Sequence, residues 1–324
     1  MKNIAFTICS NNYLGQAKVL SDSVYEHSCD SYDFFIALCD EKSDAIDYRD
    51  FHATIIEARE LGITNFEWMT QNYNIVELNT AIKPYVFLYL IKKYSPNYIH
   101  YLDPDICTYT SLVEIEKEMG DSSILLTPHE MASLPFDGGR PDDCTFLNAG
   151  IYNLGFLGLK VDGNSLQMLE WWSTFLAEHC KNNVSKGLFV DQLPMNLVPL
   201  FFENVKVSRH KGLNAAYWNL HERIIQYKDG KWMVSNKHNL VFYHFSNFNV
   251  STPTLISKFE SRHSLADNPD LLRLFNEYVE KRKSTKQELY CTIPCVYIKR
   301  PSFLQRIKRG LLSIMKSKIE CWME

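Results

Sequence analysis

The chain has 324 residues, 46% hydrophobic and 22% charged, with 19 Phe and 18 Tyr against 13 Gly and 12 Pro. That balance excludes collagen-like, coiled-coil and disordered chains, and it leaves room for one large α/β domain or two modest ones. The formal net charge of −4 gives no general case for nucleic-acid binding, so any basic function has to be local.

In chain order, Ile4 to Cys9 is a β-rich run closed by the polar turn Ser10-Asn11-Asn12. Leu14, Ala17, Leu20 and Val24 then recur at helical spacing. Phe34 to Cys39 predicts a second strand ending at Asp40-Glu41, and Thr54 to Ile56 a third. Ile82 to Tyr94 predicts a helix with Lys83 at its start and Pro84 in its first turn, stopped by Pro96. Tyr98 to Leu102 predicts a strand running directly into Asp103-Pro104-Asp105. Further strands are expected at Ser123 to Thr127 and Ile151 to Leu157, and an amphipathic helix at Ser165 to Cys180. This alternation argues for a mostly parallel, doubly wound sheet, whose ligands bind beyond the carboxyl ends of the strands. Residues 9–13, 40 and 103–105 all fall at such ends.

The N-terminal run is too short for a signal h-region and lacks a small-residue cleavage site, so it reads as a strand. No stretch approaches 18 uncharged apolar residues, so no membrane span is expected. The nine cysteines are scattered without paired Cys-x-x-Cys spacing, which favours reduced thiols in an intracellular protein over a zinc site. Residues 296–319 carry Lys299, Arg300, Arg306, Lys308, Arg309, Lys316 and Lys318 with no acid, while Phe303, Leu304, Ile307, Leu311, Ile314 and Met315 recur at helical spacing. A basic amphipathic helix of this kind suits an anionic membrane surface; the plainer reading is a terminal helix packed on the domain.

Two carboxylates leaving a strand end, Asp103 and Asp105, can share a hard divalent cation, although a turn with solvated acids fits the bare pattern as well. His244 lies in the β-type run VFYHFSNF, where a histidine is usually a satisfied core residue, yet imidazole is a suitable third ligand for manganese. Asn148-Ala149-Gly150 offers either a polar contact for a hydroxyl-rich ligand or a plain turn. Asp191-Gln192 offers a catalytic carboxylate or a hydroxyl clamp, or an N-cap.

The ordered set FTICSNNYL, AIKPYVF, YLDPDI, LLTPH, NAGIYNLGF, WW, GLFVDQ, GLNAAYWNLHER and VFYHFSNF resembles bacterial nucleotide-sugar glycosyltransferases of the GT-A fold, related to glycosyltransferase family 8. The resemblance covers about residues 4 to 263. It implies a Rossmann-like mixed, mostly parallel sheet flanked by helices over 1–265, followed by a helical extension over 266–324. It further implies that Thr7, Cys9, Asn11 and Tyr13 hold the nucleotide base, with Asp40 near the base or ribose. Lys83 would face the diphosphate, while Asp103, Asp105 and His244 would hold Mn2+ (or Mg2+). Asn148, Gly150, Asp191 and Gln192 would line the donor sugar. Asn214, Tyr217, Trp218 and Asn219 would border the acceptor side or the diphosphate.

Two departures stand out. Members often carry His-Phe-Ser-Gly-Phe where this chain has His244-Phe245-Ser246-Asn247-Phe248, and Tyr-Asn-Val-Ala where it has Leu213-Asn214-Ala215-Ala216. Neither removes an expected metal ligand. The implied activity is metal-dependent transfer of a sugar from a nucleotide-sugar, a UDP-sugar by family analogy, to a glycan or lipid-linked acceptor in surface polysaccharide synthesis (capsule or O-antigen). The family 8 likeness favours retention at the anomeric carbon, with Asp191 as nucleophile or electrostatic stabiliser and Lys83 beside the leaving group. The implied setting is cytoplasmic, peripheral on the inner face of the plasma membrane. A sugar nucleotidyltransferase would need a glycine-rich basic loop after the first strand, where only Gly15 and Lys18 stand. A non-catalytic membrane-associated partner of a polysaccharide assembly complex is the other rival, and the intact Lys83, Asp103, Asp105 and His244 argue against it.

Overall fold

The computed structural model describes residues 2–298. The basic run expected to form a C-terminal amphipathic helix therefore lies outside the described residues from 299 onward.

The first half alternates strand and helix. β1 (Asn3–Cys9), α1 (Leu14–Ser28), β2 (Tyr32–Leu38) and β3 (Thr54–Glu57) are followed by α2 (Phe66–Asn72), α3 (Ile75–Ala81) and α4 (Lys83–Tyr94). Then come β4 (Tyr98–Leu102), β5 (Ile106–Thr108), α5 (Val113–Met119), β6 (Ile124–Leu126), α6 (Asp143–Ala149), β7 (Phe156–Lys160) and α7 (Gly163–His179). The second half is built of shorter pieces: β8 (Asn182–Asn183), β9 (Leu188–Phe189), α8 (Val198–Phe201), β10 (Val205–Val207), β11 (Ile225–Lys228), β12 (Lys231–Val234), β13 (His238–Asn239) and β14 (Phe242–His244). Two helices, α9 (Pro269–Lys283) and α10 (Gln287–Thr292), complete it.

Seven strands form one sheet in the order β10-β6-β7-β4-β1-β2-β3. All its pairings are parallel except those of β7, which runs against both β4 and β6. The sheet is thus mixed and mostly parallel, as the resemblance implied. It is buried on both faces, which explains why β1 and β2 read as near-continuous apolar runs. Phe6 and Ile8 of β1 pack in a cluster with Phe87 and Leu90 of α4 and with Trp172 and Leu176 of α7. Ala5 and Cys9, pointing the other way, pack in a second cluster with Leu14, Leu20 and Val24 of α1.

Local signals set the helix starts. Asp162 accepts the Ser165 N–H at 2.9 Å and opens α7 with a capping box. Asn268 caps α9 by accepting from Leu271 N–H at 3.0 Å, with Pro269 in the first turn. α9 packs Leu271, Leu274, Phe275 and Tyr278 with Tyr243 and Phe245 in a third cluster, where the Phe245 and Tyr278 rings stack at 3.7 Å.

The strand expected over Ile151–Leu157 begins only at Phe156. Residues before it are used in crossing the carboxyl edge: the Ile151 carbonyl accepts from His129 N–H, and Asn153 N–H donates to the Thr127 carbonyl. Asn148-Ala149-Gly150 is not a plain turn either. Asp142 caps α6 at Thr145, and Gly150 ends the helix at φ +114°.

Candidate functional site

β4 delivers Asp103 and Asp105 to the carboxyl edge of the sheet, and two backbone bonds hold the turn between them. Asp103 N–H donates to the Gly155 carbonyl at 2.7 Å, and Ile106 N–H donates to the Asp103 carbonyl at 3.0 Å. The chain continues into β5, which pairs antiparallel with β14 so that His244 lies opposite Ile106. This ladder brings His244 Nε2 to 3.0 Å from Asp105 Oδ1 and 3.6 Å from Asp103 Oδ2. One donor atom from each of the three residues falls within 4.8 Å of the others. Gly155 makes room for this: a side-chain carbon there would collide with the His244 imidazole.

The electrostatics agree with a cation site. Burial alone would lower the His244 pKa, but the charge and hydrogen bond of Asp105, helped by Asp103, carry it above its ordinary value. Burial would raise the Asp105 carboxyl, and His244 holds it below its ordinary value instead. Two partly exposed carboxylates and one buried imidazole form a donor set that fits a hard divalent ion such as Mn2+ or Mg2+.

Beside this cluster lies a buried ion pair. Lys83 opens α4, and its Nζ reaches Asp191 Oδ2 at 2.5 Å and the Leu154 carbonyl at 2.7 Å. It also sits 4.0 Å above the centre of the Tyr101 ring. Tyr101 in turn donates its hydroxyl to Asp103 Oδ1 at 2.5 Å. Burial, then the Asp103 charge, push the Tyr101 hydroxyl well above its ordinary pKa, so it stays a donor. Asp191, Lys83, Tyr101 and Asp103 are therefore continuous in space. The Lys83 ammonium is turned to Asp191 and Leu154 inside the fold, rather than open to the neighbouring cavity.

That cavity, of about 200 Å³, is walled by the end of β1, by α3 and by the Asp103–Asp105 turn. Cys9 and Tyr13 line it, and Tyr13 is 46% exposed. Asn11 and Asp40 do not. The Asn11 amide donates to Asp40 Oδ2 at 3.0 Å and to the Glu41 carbonyl at 2.9 Å. Asp40 also accepts from Val296 N–H at 3.0 Å. Thr7 is fully buried in β1, and among the described residues its hydroxyl has no partner.

The expected sugar-lining residues divide. Gln192 accepts from Leu154 N–H at 3.0 Å and donates to the Ala149 carbonyl at 2.8 Å. Gly150 lies against Gln192, its ideal side-chain position only 3.1 Å from Gln192 Cγ. Asn148 is exposed on α6, with no part in this cluster. Of the residues expected to border the acceptor or diphosphate, Asn214 and Asn219 are buried, and Trp218 sets its ring edge-on to His244 at 5.2 Å. Tyr217 is half-buried against Trp218. A wider cleft of about 470 Å³, lined by Glu130, Asp143, Phe146, Tyr152 and Arg209 among others, opens near the carboxyl ends of β6 and β10.

No protein-family model matches the chain. In Bacillus subtilis (strain 168), the uncharacterized protein YfnF is 30% identical over 172 residues, 52% of this chain and 56% of its own length. The chain thus spans little more than half of YfnF. YfnD of the same organism is 22% identical over 298 residues, 89% of this chain and 91% of its own. Among solved structures, the galactosyltransferase LgtC in complex with donor and acceptor sugar analogues is 15% identical, with a TM-score of 0.50. The similarity covers 90% of this chain and all of LgtC. The chain has the GT-A glycosyltransferase fold.

Several side chains at the site escaped the sequence reading. Tyr101 reads as one more apolar residue of YIHYL, and its alternation with Asp103 on the same side of the strand was the available signal. Val76, Asn79 and Thr80 line the cavity unmarked by any pattern, beside Ser10 and Asn12 of the expected strand-end stretch 9–13. Asn153 lay inside an expected strand, and no spacing marked it.

Proposed function

We propose that the chain is a metal-dependent glycosyltransferase that moves a sugar from a nucleotide-sugar, a UDP-sugar in our reading, to a glycan or lipid-linked acceptor. The observation that carries the proposal is the Asp103, Asp105 and His244 cluster at the rim of the cavity lined by Cys9 and Tyr13. The GT-A fold makes that edge of the sheet the expected ligand face, and the fold alone would not specify the chemistry.

In this reading the nucleotide base enters the cavity, with the exposed Tyr13 ring available for stacking. Asp103, Asp105 and His244 would hold Mn2+ (or Mg2+), which would supply positive charge to offset that of a diphosphate leaving group. Asp191 provides a fixed negative charge for the positive charge that develops at the anomeric carbon, the electrostatic one of its two candidate roles. Burial raises the Asp191 carboxyl above its ordinary pKa, and Lys83 opposes that shift and holds the carboxylate in place, while Tyr101 orients Asp103. Gln192 fixes the Leu154 backbone beside them. The wider cleft has aromatic walls, carboxylates and Arg209, groups that suit a saccharide, and we assign the acceptor to it.

The biological setting we favour is bacterial surface polysaccharide synthesis, capsule or O-antigen, on the cytoplasmic side of the membrane. Eight free cysteines among the described residues suit a reducing compartment. No helix among the described residues is long and apolar enough to cross a membrane. Attachment would fall to the basic run over 296–319.

The test is a donor screen. Purified protein is mixed with Mn2+ and a panel of UDP- and other nucleotide-sugars while nucleotide release is followed, with Asp105→Ala and EDTA controls. Slow metal-dependent hydrolysis of one donor, lost in the variant, is the expected result. No hydrolysis, together with no metal-dependent binding of UDP by calorimetry, would overturn the proposal.

A further inference from the structure

A histidine ligand presents a lone pair on one ring nitrogen only if its hydrogen sits on the other. The surroundings of His244 determine which nitrogen that is. Asn214 is completely buried and adopts φ +55°, in the left-handed region that Asn tolerates better than most side chains. Its amide faces three groups. Thr127 Oγ1 lies 2.9 Å and Asn153 Oδ1 3.0 Å from Asn214 Nδ2. His244 Nδ1 lies 3.3 Å from Asn214 Oδ1.

The orientation of this amide follows without reference to the histidine. Asn153 Oδ1 also accepts from Gly155 N–H at 3.1 Å, so it is an oxygen and Asn214 must turn its nitrogen toward it. The Asn153 nitrogen meanwhile faces Gln192 Oε1 and His129 Nε2. The Asn214 carbonyl oxygen is then left to face the imidazole. A carbonyl oxygen only accepts, so His244 Nδ1 must carry a hydrogen.

We propose that Asn214 is a positioning residue that keeps a hydrogen on His244 Nδ1 and so reserves Nε2 for the divalent ion, an inference that rests on the metal reading above. Without it, a neutral imidazole has a competing arrangement. Asp105 Oδ1, 3.0 Å from Nε2, already accepts a hydrogen there before an ion binds, and with no acceptor at Nδ1 a neutral ring would keep its one hydrogen on Nε2 and block the lone pair the ion needs. Asn214 thus ties the metal cluster to Asn153 and, through it, to Gln192 beside Asp191.

Two substitutions separate this role from a structural one. Asn214→Gly keeps the left-handed backbone and deletes the amide, while Asn214→Asp keeps an acceptor oxygen for Nδ1. Mn2+ affinity is measured by calorimetry on all three proteins, with thermal unfolding alongside. The ring nitrogens of 15N-histidine protein loaded with diamagnetic Cd2+ are read by NMR, with His244→Gln supplying the assignment. The expected result is Nδ1–H with Cd2+ on Nε2 in the parent, Mn2+ binding weakened about ten- to a hundredfold in Asn214→Gly, and most of that recovered in Asn214→Asp. Cd2+ on Nδ1 in the parent, or an Asn214→Gly protein that binds Mn2+ as the parent does, overturns the inference. A parent that binds neither Mn2+ nor Cd2+ removes the metal reading itself, a result separable from the other two.

Discussion

Lys83 and Asp191 are 108 residues apart in the chain and 2.5 Å apart in the fold, with side chains only 2% and 4% exposed. A cation at the first turn of a helix opposes the helix dipole, and a buried one also loses its water. Asp191, the Leu154 carbonyl and the Tyr101 ring compensate for both losses.

Removing one member of that pair leaves the other charged and buried. Lys83→Met or Asp191→Leu should each lower stability by about 3–5 kcal/mol, and the double variant should lose less than the two singles combined. Urea unfolding of the four proteins measures this. Additive losses would show that the ion pair is not what couples the two positions.

Gly155 is required by its neighbour. Gly155→Ala places a methyl group against the His244 imidazole, so divalent-ion binding should fall at least as far as in Asp105→Ala. Overpacking of this kind costs about 1–3 kcal/mol of stability. Calorimetry with Mn2+ decides, and an alanine variant with parental affinity would show that the imidazole has room to move.

Acid should weaken the fold before carboxylates are protonated. Burial pushes the pKa values of His100 and His129 down to about 3. Each ring is neutral in the fold but charges at its ordinary pKa of about 6.5 in the unfolded chain. Stability is therefore complete above that value and is lost as pH falls toward the folded values. Between pH 6.5 and 5 the loss is at most about 2 kcal/mol for each ring. Denaturant midpoints across that range should fall less steeply with acid in a His129→Gln variant than in the parent.

Glu130 works in the opposite direction. Burial, then the charges of Asp143 and Glu222, raise it to about 7, and one of its carboxylate oxygens is buried without a partner among the described residues. Its raised value favours the fold fully below the unfolded pKa, and that contribution disappears as pH rises through 7. Glu130→Gln should leave the melting temperature unchanged at pH 4.5 relative to parent and raise it at pH 8. Equal melting temperatures at both values would place the carboxylate in free solvent. A saccharide hydroxyl donating to that oxygen would lower its pKa, so titrating the cleft with glycans offers an independent readout of acceptor binding.

Much of the architecture was legible because the patterns are local. The helix expected over Ile82–Tyr94 is found at Lys83–Tyr94, stopped before Pro96, and the one expected over Ser165–Cys180 begins slightly earlier at its Asp162 cap. The metal-type cluster was legible in part, since two carboxylates at a strand end are visible in sequence. Strand direction was not. Nothing within FLGLK records that β7 runs antiparallel, because direction depends on how the preceding residues cross the edge. The roles of polar residues were harder still. Asn11 and Asp40 satisfy each other, and Asn214 satisfies His244. A side chain that meets a ligand and one that meets a second side chain have the same composition, and only the fold distinguishes them.

The β5–β14 ladder also places the site in time. Asp103 and Asp105 are made early, but His244 reaches them only when Phe242–His244 has paired with Ile106–Thr108. A nascent chain halted between Asp105 and that strand holds both carboxylates and lacks His244 to complete the set. In the proposed reading, ion capture would come after the residues of the seven-stranded sheet have been made, and products truncated between Asp105 and Phe242 would carry the Asp-x-Asp pair without its third ligand.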